Sequence, residues 1–339
     1  MRISSEDYLA TYNVLRKGDI AFEGNKSKKF SFGRFVENDI GDGIVSHVFV
    51  VFRPKVSPII SYWKYFIHNE FVMRNILRKS TIKATMMTNL SSHDFLRQTL
   101  CTPSFKEQEN IGNFLERLDS LIAATQGKLD NLEKIKRALL KHLFDQSMRF
   151  RGYSDPWEKR KFGELYKPNK ERNESAEFSS ENTLSIATMT VNRKGNGAAK
   201  TSLLKYKVIR IGDIAFEGHT SKKFAFGRFV LNDVADGIMS PRFTCLRPIH
   251  RQIIQFWKQY IHYEPILRPI LIRSTKLGTM MNELVVPDLL KQNIRVPSIN
   301  EQKLIGKSLS RVDDLIAATQ SKLSSLETLK KALLQGLFI

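Results

Sequence analysis

The sequence predicts a mixed α+β fold, in which two copies of one globular domain are each followed by a long helix and the two helices pair. Three observations predict it: a tandem repeat, an apolar seam at helical spacing after each copy, and a charge excess confined to the globular parts. Arg16 to Pro54 reads RKGDIAFEGNKSKKFSFGRFVENDIGDGIVSHVFVVFRP and Arg210 to Pro248 reads RIGDIAFEGHTSKKFAFGRFVLNDVADGIMSPRFTCLRP, with 26 of 39 positions identical. The offset of 194 residues then holds without a gap, carrying Trp63 onto Trp257, His68 onto His262, Met86-Met87 onto Met280-Met281 and Phe144 onto Phe338. Such a period exceeds a solenoid unit, so each copy is a whole domain with an appendage.

Within a copy, GDIAFEG and FAFGRFV on either side of HTSKK predict a hairpin of two short strands. Pro58 followed by Ile59, Ile60, Trp63, Phe66 and Ile67 predicts an amphipathic helix, repeated through Ile253, Ile254, Trp257 and Ile261. Trp63 and Trp257 lie on that apolar face and are expected in the core rather than stacked on a ligand. His68 and His262, isolated on helices, are expected to be structural, because a metal site needs several converging ligands.

The appendage spans 105–144. Ile111, Leu115, Leu118, Ile122, Leu129, Leu132, Leu139 and Leu143 step by threes and fours, the seam of a coiled coil, and Ile305, Leu309, Val312, Ile316, Leu323, Leu326 and Leu333 repeat it over 299–339. Ser104 with Glu107 and Ser298 with Glu301 have capping-box spacing, just after Pro103 and Pro297. A helix of 40 residues is ~60 Å long, and its one-sided seam needs a partner; its own repeat is the obvious one. The polar run QSMRFRGYSDPWEKRK, with Gly152 and Pro156, is a linker by its turn residues. The divisions are 1–104, first globular copy; 105–144, first helix; 145–160, linker; 161–298, second copy; and 299–339, second helix.

Net charge is +20; the two helices hold only +1 and +2, which leaves +17 on the rest. The globular copies therefore ask for a polyanionic partner. No apolar run is long enough to span a bilayer and MRISSEDYLATYN is no signal peptide, so a cytoplasmic protein without a membrane partner is expected. Cys101 and Cys245 are too few for a disulfide framework or a cysteine zinc site. There is no phosphate loop, no H-E-x-x-H and no Pro-Pro-aromatic methyltransferase signature, and Gly195-Asn196-Gly197 lacks a third glycine. No catalytic residue, metal site or cofactor is expected on this chain.

The candidate contact loops are Ser27-Lys28-Lys29 and Ser221-Lys222-Lys223, each followed by an arginine, Arg34 or Arg228. A lysine pair in a loop is ordinarily solvated surface; its recurrence beside an arginine on a basic domain favours phosphate contact. Lys28, Lys29, Arg34, Lys222, Lys223 and Arg228 would neutralise phosphates, and short side chains such as Thr220 and Ser221 would touch base edges.

The pattern resembles the specificity subunits of type I restriction–modification systems. Its marks are Val296-Pro297-Ser298-Ile299-Asn300-Glu301-Gln302, with its coil ending Lys331-Ala332-Leu333-Leu334-Gln335-Gly336-Leu337-Phe338; the first-copy equivalent Pro103-Ser104-Phe105-Lys106-Glu107-Gln108; Arg151-Gly152-Tyr153 through Trp157-Glu158-Lys159-Arg160-Lys161-Phe162-Gly163-Glu164, like the opening of a target-recognition domain; and the Gly-Asp-Ile segments at Gly18 and Gly212. The resemblance covers essentially the whole chain. It implies two target-recognition domains, each reading half of a split site on double-stranded DNA, and two conserved helices packed as an antiparallel coiled coil that spaces them. Methyltransferase subunits would dock on the helices and translocase–nuclease subunits would join, bringing S-adenosylmethionine, ATP and magnesium. Recognition domains this alike imply a near-inverted repeat with half-site centres roughly 10 bp apart.

One departure stands out. Met1 aligns with Gly195, so the first copy has no counterpart of Trp157 to Lys194 and is expected to be short by its opening strands. A late start, a gene fragment or a silent recombination cassette without independent activity would each produce that. An autonomous nucleic-acid-binding protein that needs no methyltransferase is the other open reading.

Overall fold

The structure, a computed structural model, describes residues 9–83, 87–195, 197–278 and 281–338. Met1, Met86, Asn196, Met280 and Ile339, used in the sequence comparison, lie outside those residues. Contacts divide the chain into two units, Met1–Leu129 with Ala318–Ile339, and Asp130–Ala317. Each unit holds one globular copy and a piece of both long helices.

In unit 1, β1 (Asn13–Leu15), β2 (Ile20–Glu23), β3 (Arg34–Glu37), β4 (Gly43–Val45) and β5 (Val50–Phe52) precede α1 (Ile60–Phe66) and α2 (Glu70–Ser80). Then follow β6 (Thr81–Lys83), β7 (Thr88–Leu90), α3 (Ser92–Leu96) and α4 (Phe105–Phe144). The expected hairpin is present: β2 pairs antiparallel with β3 from Ile20↔Glu37 to Glu23↔Arg34, and β5 adds on the other side to give the order β3-β2-β5. Phe22, Phe35, Tyr62, Phe66 and Leu77 fill the core between sheet and helices. The expected apolar face of α1 is the one that meets the core: Phe66 and Ile67 are buried, Ile59 and Trp63 pack against the same cluster, and Tyr62 is buried beside them in addition. His68 lies in the turn after α1, not on the helix.

Unit 2 adds β8 (Glu158–Lys161), α5 (Phe162–Leu165), β9 (Tyr166–Pro168), β10 (Leu184–Ser185), β11 (Thr190–Val191), α6 (Lys200–Leu203) and β12 (Lys207–Ile209). Repeated elements follow: β13 (Ile214–Glu217), β14 (Arg228–Leu231), β15 (Gly237–Met239), β16 (Thr244–Pro248), α7 (Ile254–Tyr260) and α8 (Glu264–Ser274). Last come β17 (Thr275–Lys276), β18 (Glu283–Leu284), α9 (Val286–Lys291), β19 (Asn293–Val296) and α10 (Ile299–Gly336). The sheet gains a fourth strand, in the order β14-β13-β16-β9. Trp257 is 1% exposed, as expected of a core residue. His262 again follows its helix rather than lying on it.

The two long helices pack against each other antiparallel. In unit 1, Lys330 is ion-paired with Asp119, and Ile111 and Phe338 join one apolar cluster, so numbers rise along one helix as they fall along the other. In unit 2, Lys136 pairs with Asp313 at 2.5 Å, while Leu140 and Phe144 share a cluster with Leu309 and Ile305. Leu115, Leu118, Leu129, Leu143, Ile305 and Leu309 are buried, which bears out that part of the seam. Gly112 and Gly306 let each copy seat on a helix. A Cβ at Gly112 would lie 2.6 Å from the Ser61 carbonyl carbon, and one at Gly306 2.7 Å from the Phe256 nitrogen. No side chain larger than hydrogen fits either backbone-to-backbone contact.

The polar run after α4 is anchored rather than loose. Trp157 is 5% exposed, in the core of unit 2, and β8 pairs with β19 from Asn293↔Lys161 to Val296↔Glu158.

Candidate nucleic-acid interface

Each loop of interest connects the first two strands of its sheet. In unit 2, the Ser221 Oγ accepts from the Phe224 N–H at 3.1 Å and the Ser221 N–H donates to the Phe224 carbonyl at 3.2 Å, closing a tight turn. Gly227, at φ +82°, takes the chain into β14, in the left-handed region that suits glycine. Buried Asn282 ties the loop to the domain, its N–H donating to the Gly218 carbonyl at 2.9 Å and its Nδ2 to the Ala225 carbonyl at 3.2 Å. The Phe224 ring is edge-on to His262, with Lys223 and Arg228 over its face at 5.2 and 5.4 Å.

Unit 1 builds the same loop. The Ser27 Oγ accepts from the Phe30 N–H at 3.0 Å, Phe30 meets His68 edge-on, and Lys29 and Arg34 lie 5.0 and 5.5 Å from the ring centre. Both histidines donate through Nδ1 to a core carbonyl, of Phe35 in one unit and Phe229 in the other. Burial pushes both below the ordinary imidazole value. They are supports for the aromatic platform beneath the lysines.

The candidates separate into two groups. Lys28, Lys29, Lys222, Lys223, Thr220 and Ser221 are exposed, although the Ser221 hydroxyl is already used by the turn. Arg34 and Arg228 are held: Arg34 Nε meets Glu23 at 2.6 Å, Arg228 Nε meets Glu217 at 2.5 Å, and Arg228 Nη2 donates to the Ala187 carbonyl at 2.7 Å. Their charge is largely answered within the fold, and they brace the loop against its strand.

That last contact brings a second surface to the loop. The turn between β10 and β11 exposes Thr188 and Thr190, whose hydroxyls share a 2.7 Å hydrogen bond, and Thr188 also donates to Ser185. These three hydroxyls beside the lysine loop escaped sequence reasoning, because nothing in their local pattern distinguishes them from any polar turn.

The Gly-Asp-Ile segments are structural. Asp213 is 1% exposed, accepts from the Arg210 N–H at 2.9 Å and is gripped by Arg247 at 2.9 Å. Asp19 does the same with the Arg16 N–H and Arg53, and the Arg53 guanidinium holds its carboxyl below the ordinary value. In unit 2, Arg210 also binds Glu171, Glu177 and Asp236, and these carboxylates raise its affinity for its proton. Arg16, its counterpart, has no ion-pair partner among the described residues.

Among the described residues no group of three or more His, Cys, Asp or Glu gathers as metal ligands. No helix among them is long and apolar enough to cross a membrane.

Repeated mixed α+β heads on paired long helices are the architecture of DNA-specificity proteins, and comparison with known proteins gives the same class. The family of type I restriction modification DNA specificity domains matches at residues 2–134 and 154–328, and the chain belongs to that family. A type I restriction enzyme specificity subunit of Methanocaldococcus jannaschii, MjaX, is 21% identical over 302 residues, covering 84% of this chain and 69% of its own. The HsdS subunit of Thermoanaerobacter tengcongensis shares the fold with a TM-score of 0.50 at 18% identity, over 96% of this chain and 81% of that one. The type I S subunit of M. genitalium does so with a TM-score of 0.56 at 15% identity, over 97% and 85%.

Proposed function

We propose that this chain is the DNA-reading subunit of a type I restriction–modification complex, and that its two copies each read one half of a split site. The observation that carries this reading is the lysine loop, built twice with the same turn, the same aromatic support and the same braced arginine. Lys28, Lys29, Lys222 and Lys223 contact phosphates, Arg34 and Arg228 hold the loops, and Thr188, Thr190 and Thr220 offer hydroxyls to base edges. The near identity of the loops argues for related half-sites. Asn25/His219, Lys26/Thr220 and His47/Pro241 differ, as do the surroundings of the second loop, so the halves need not be equal.

The chain scaffolds rather than catalyses in this reading. The paired helices leave apolar side chains exposed, Leu121 and Leu329 in unit 1, Ile135 and Leu315 in unit 2, and these suit methyltransferase subunits. Translocase–nuclease subunits complete the complex, and S-adenosylmethionine, ATP and magnesium act on those partners.

The test is DNA binding by the chain assembled with its methyltransferase. Affinity should fall steeply with salt, because phosphate contacts release counterions. Lys222→Ala with Lys223→Ala should reduce the slope of log affinity against log salt by about 1–2 and weaken binding on all sequences alike. An unchanged slope would place the loops away from DNA. Mapping the methylated sites in a host expressing the complex then shows whether the site is split and whether its halves are alike.

A further inference from the structure

Resting on the DNA-reading proposal, we infer that the turn between β10 and β11 reads one A·T base pair through Ser185 and Thr190, and that Arg228 positions this turn beside the lysine loop. Phosphate contacts carry no direct sequence information, so lysines alone do not select a base. Selection needs donors and acceptors held in fixed places.

The turn holds them. Ser185 is opposite Thr190 in the β10–β11 pair, so their side chains share a face. Ile186 and Met189 are 2% and 7% exposed and pin the turn into a cluster with Leu184, Ile209 and Met239. Met189 is kept at φ +47°, in the left-handed region that residues other than glycine seldom occupy and that functional turns often use. Ala187 and Thr188 are left exposed between the two pins.

The three hydroxyls form a chain with a direction. Each has one proton. Thr188 donates its own to Ser185 at 3.0 Å, so Thr190 must be the donor in the 2.7 Å bond that it shares with Thr188. The Ser185 proton is left at one end and the Thr190 lone pairs at the other, both without a partner among the described residues. In the major groove an adenine edge offers N7 as acceptor and its N6 amino group as donor, the complement of that pair. A guanine edge offers two acceptors and leaves Thr190 unanswered; a cytosine edge offers one donor and leaves Ser185 unanswered. The exposed methyls of Ala187 and Thr188 suit the methyl group of the paired thymine.

Arg228 ties the turn to the loop. Its Nη2 donates to the Ala187 carbonyl at 2.7 Å and its Nε to Glu217 at 2.5 Å, while its guanidinium lies over the Phe224 ring that Lys223 also covers. The planar fork of an arginine holds both partners at once; the single ammonium of a lysine does not reproduce it.

The test uses the chain assembled with its methyltransferase on duplex DNA randomised across the site, the bound sequences being read by sequencing. The parent complex should select an A·T pair at one position that Thr190→Val and Ser185→Ala each relax, with discrimination falling about tenfold there and unchanged elsewhere. Thr188→Val keeps both end hydroxyls but breaks the chain between them, and should relax the same position. Arg228→Lys keeps the charge, and should relax that position while leaving the salt slope and the other half of the site unchanged. Selection that survives both Thr190→Val and Ser185→Ala, or that relaxes at a G·C pair, would overturn the inference. A loss spread over every position under Arg228→Lys would overturn the positioning role of that arginine. A parent complex that selects no base anywhere would instead overturn the DNA-reading proposal beneath it.

Discussion

At the scale of single residues, the two copies differ most tellingly where one carries a charge and the other does not. Glu37 on β3 is 6% exposed, and neither carboxylate oxygen has a hydrogen-bond partner among the described residues. Its counterpart is Leu231, buried in the core of unit 2. Burial, reinforced by Asp39, pushes the Glu37 carboxyl up to about 8. Above the ordinary carboxylate value the unfolded chain releases a proton that the folded chain retains, so this residue lowers stability progressively from about pH 4.5 to pH 8. Glu37→Leu should therefore raise the melting temperature of unit 1. The gain should be small at pH 4.5 and should grow by about 4 kcal/mol by pH 8. A gain independent of pH would mean that the carboxyl titrates normally. Sequence alone placed Glu37 only as an unmatched position in the repeat; its burial depends on how β3 sits on β2, a tertiary matter.

At the scale of elements, the long helices were legible and their starts only partly so. Helical spacing of leucines is a short-range pattern, and α4 spans Phe105–Phe144 as the spacing predicts. Ser298 and Ser104 do accept from the backbone of Glu301 and Glu107, at 3.3 and 3.4 Å. The returning half of the capping box is replaced, however. Gln302 and Gln108 donate to the carbonyls of Pro297 and Pro103, both at 2.9 Å, while the Glu301 carboxylate binds Arg149 instead of the helix backbone. Glu301→Gln should destabilise unit 2 by about 2–4 kcal/mol, because it leaves a largely buried guanidinium unpaired. Glu107→Gln should change unit 1 by less than about 0.5 kcal/mol, the range of surface changes away from such features. Comparable losses at both positions in urea unfolding would contradict this contrast. In the seam, Leu118 is 6% exposed; Leu118→Asp should cost on the order of 3–5 kcal/mol by burying an unpaired carboxylate, and unchanged unfolding would remove Leu118 from the seam.

At the scale of the whole molecule, the long helices would carry the proposed scaffolding role on their exposed faces. Leu121 is 42% and Leu329 46% exposed, and they flank the Asp119–Lys330 ion pair of unit 1. A seam already satisfied between two helices has no use for them, and in the proposed reading they offer a face to a methyltransferase subunit. Leu121→Lys with Leu329→Lys should leave folding and circular dichroism unchanged and reduce co-purification of a methyltransferase subunit at least tenfold. Retained co-purification would move the docking face elsewhere on the chain.

The sequence by itself determined the repeat, the class of fold, the two long helices, the hairpin and its lysine loop, and the family. These rest on identity at a constant offset and on periodicity within a few turns of chain, information carried by neighbouring residues. The tertiary structure decided which charges are spent and which are free. Arg34, Arg228 and Arg149 look alike as basic residues, yet the first two are braced by glutamates 11 residues away and the third by one 152 residues away. It also decided that a polar run with turn residues is the strand that completes unit 2. The physical reason is that an ion pair or a strand pairing is set by distance in space, and residues far apart in sequence are brought to that distance only by folding.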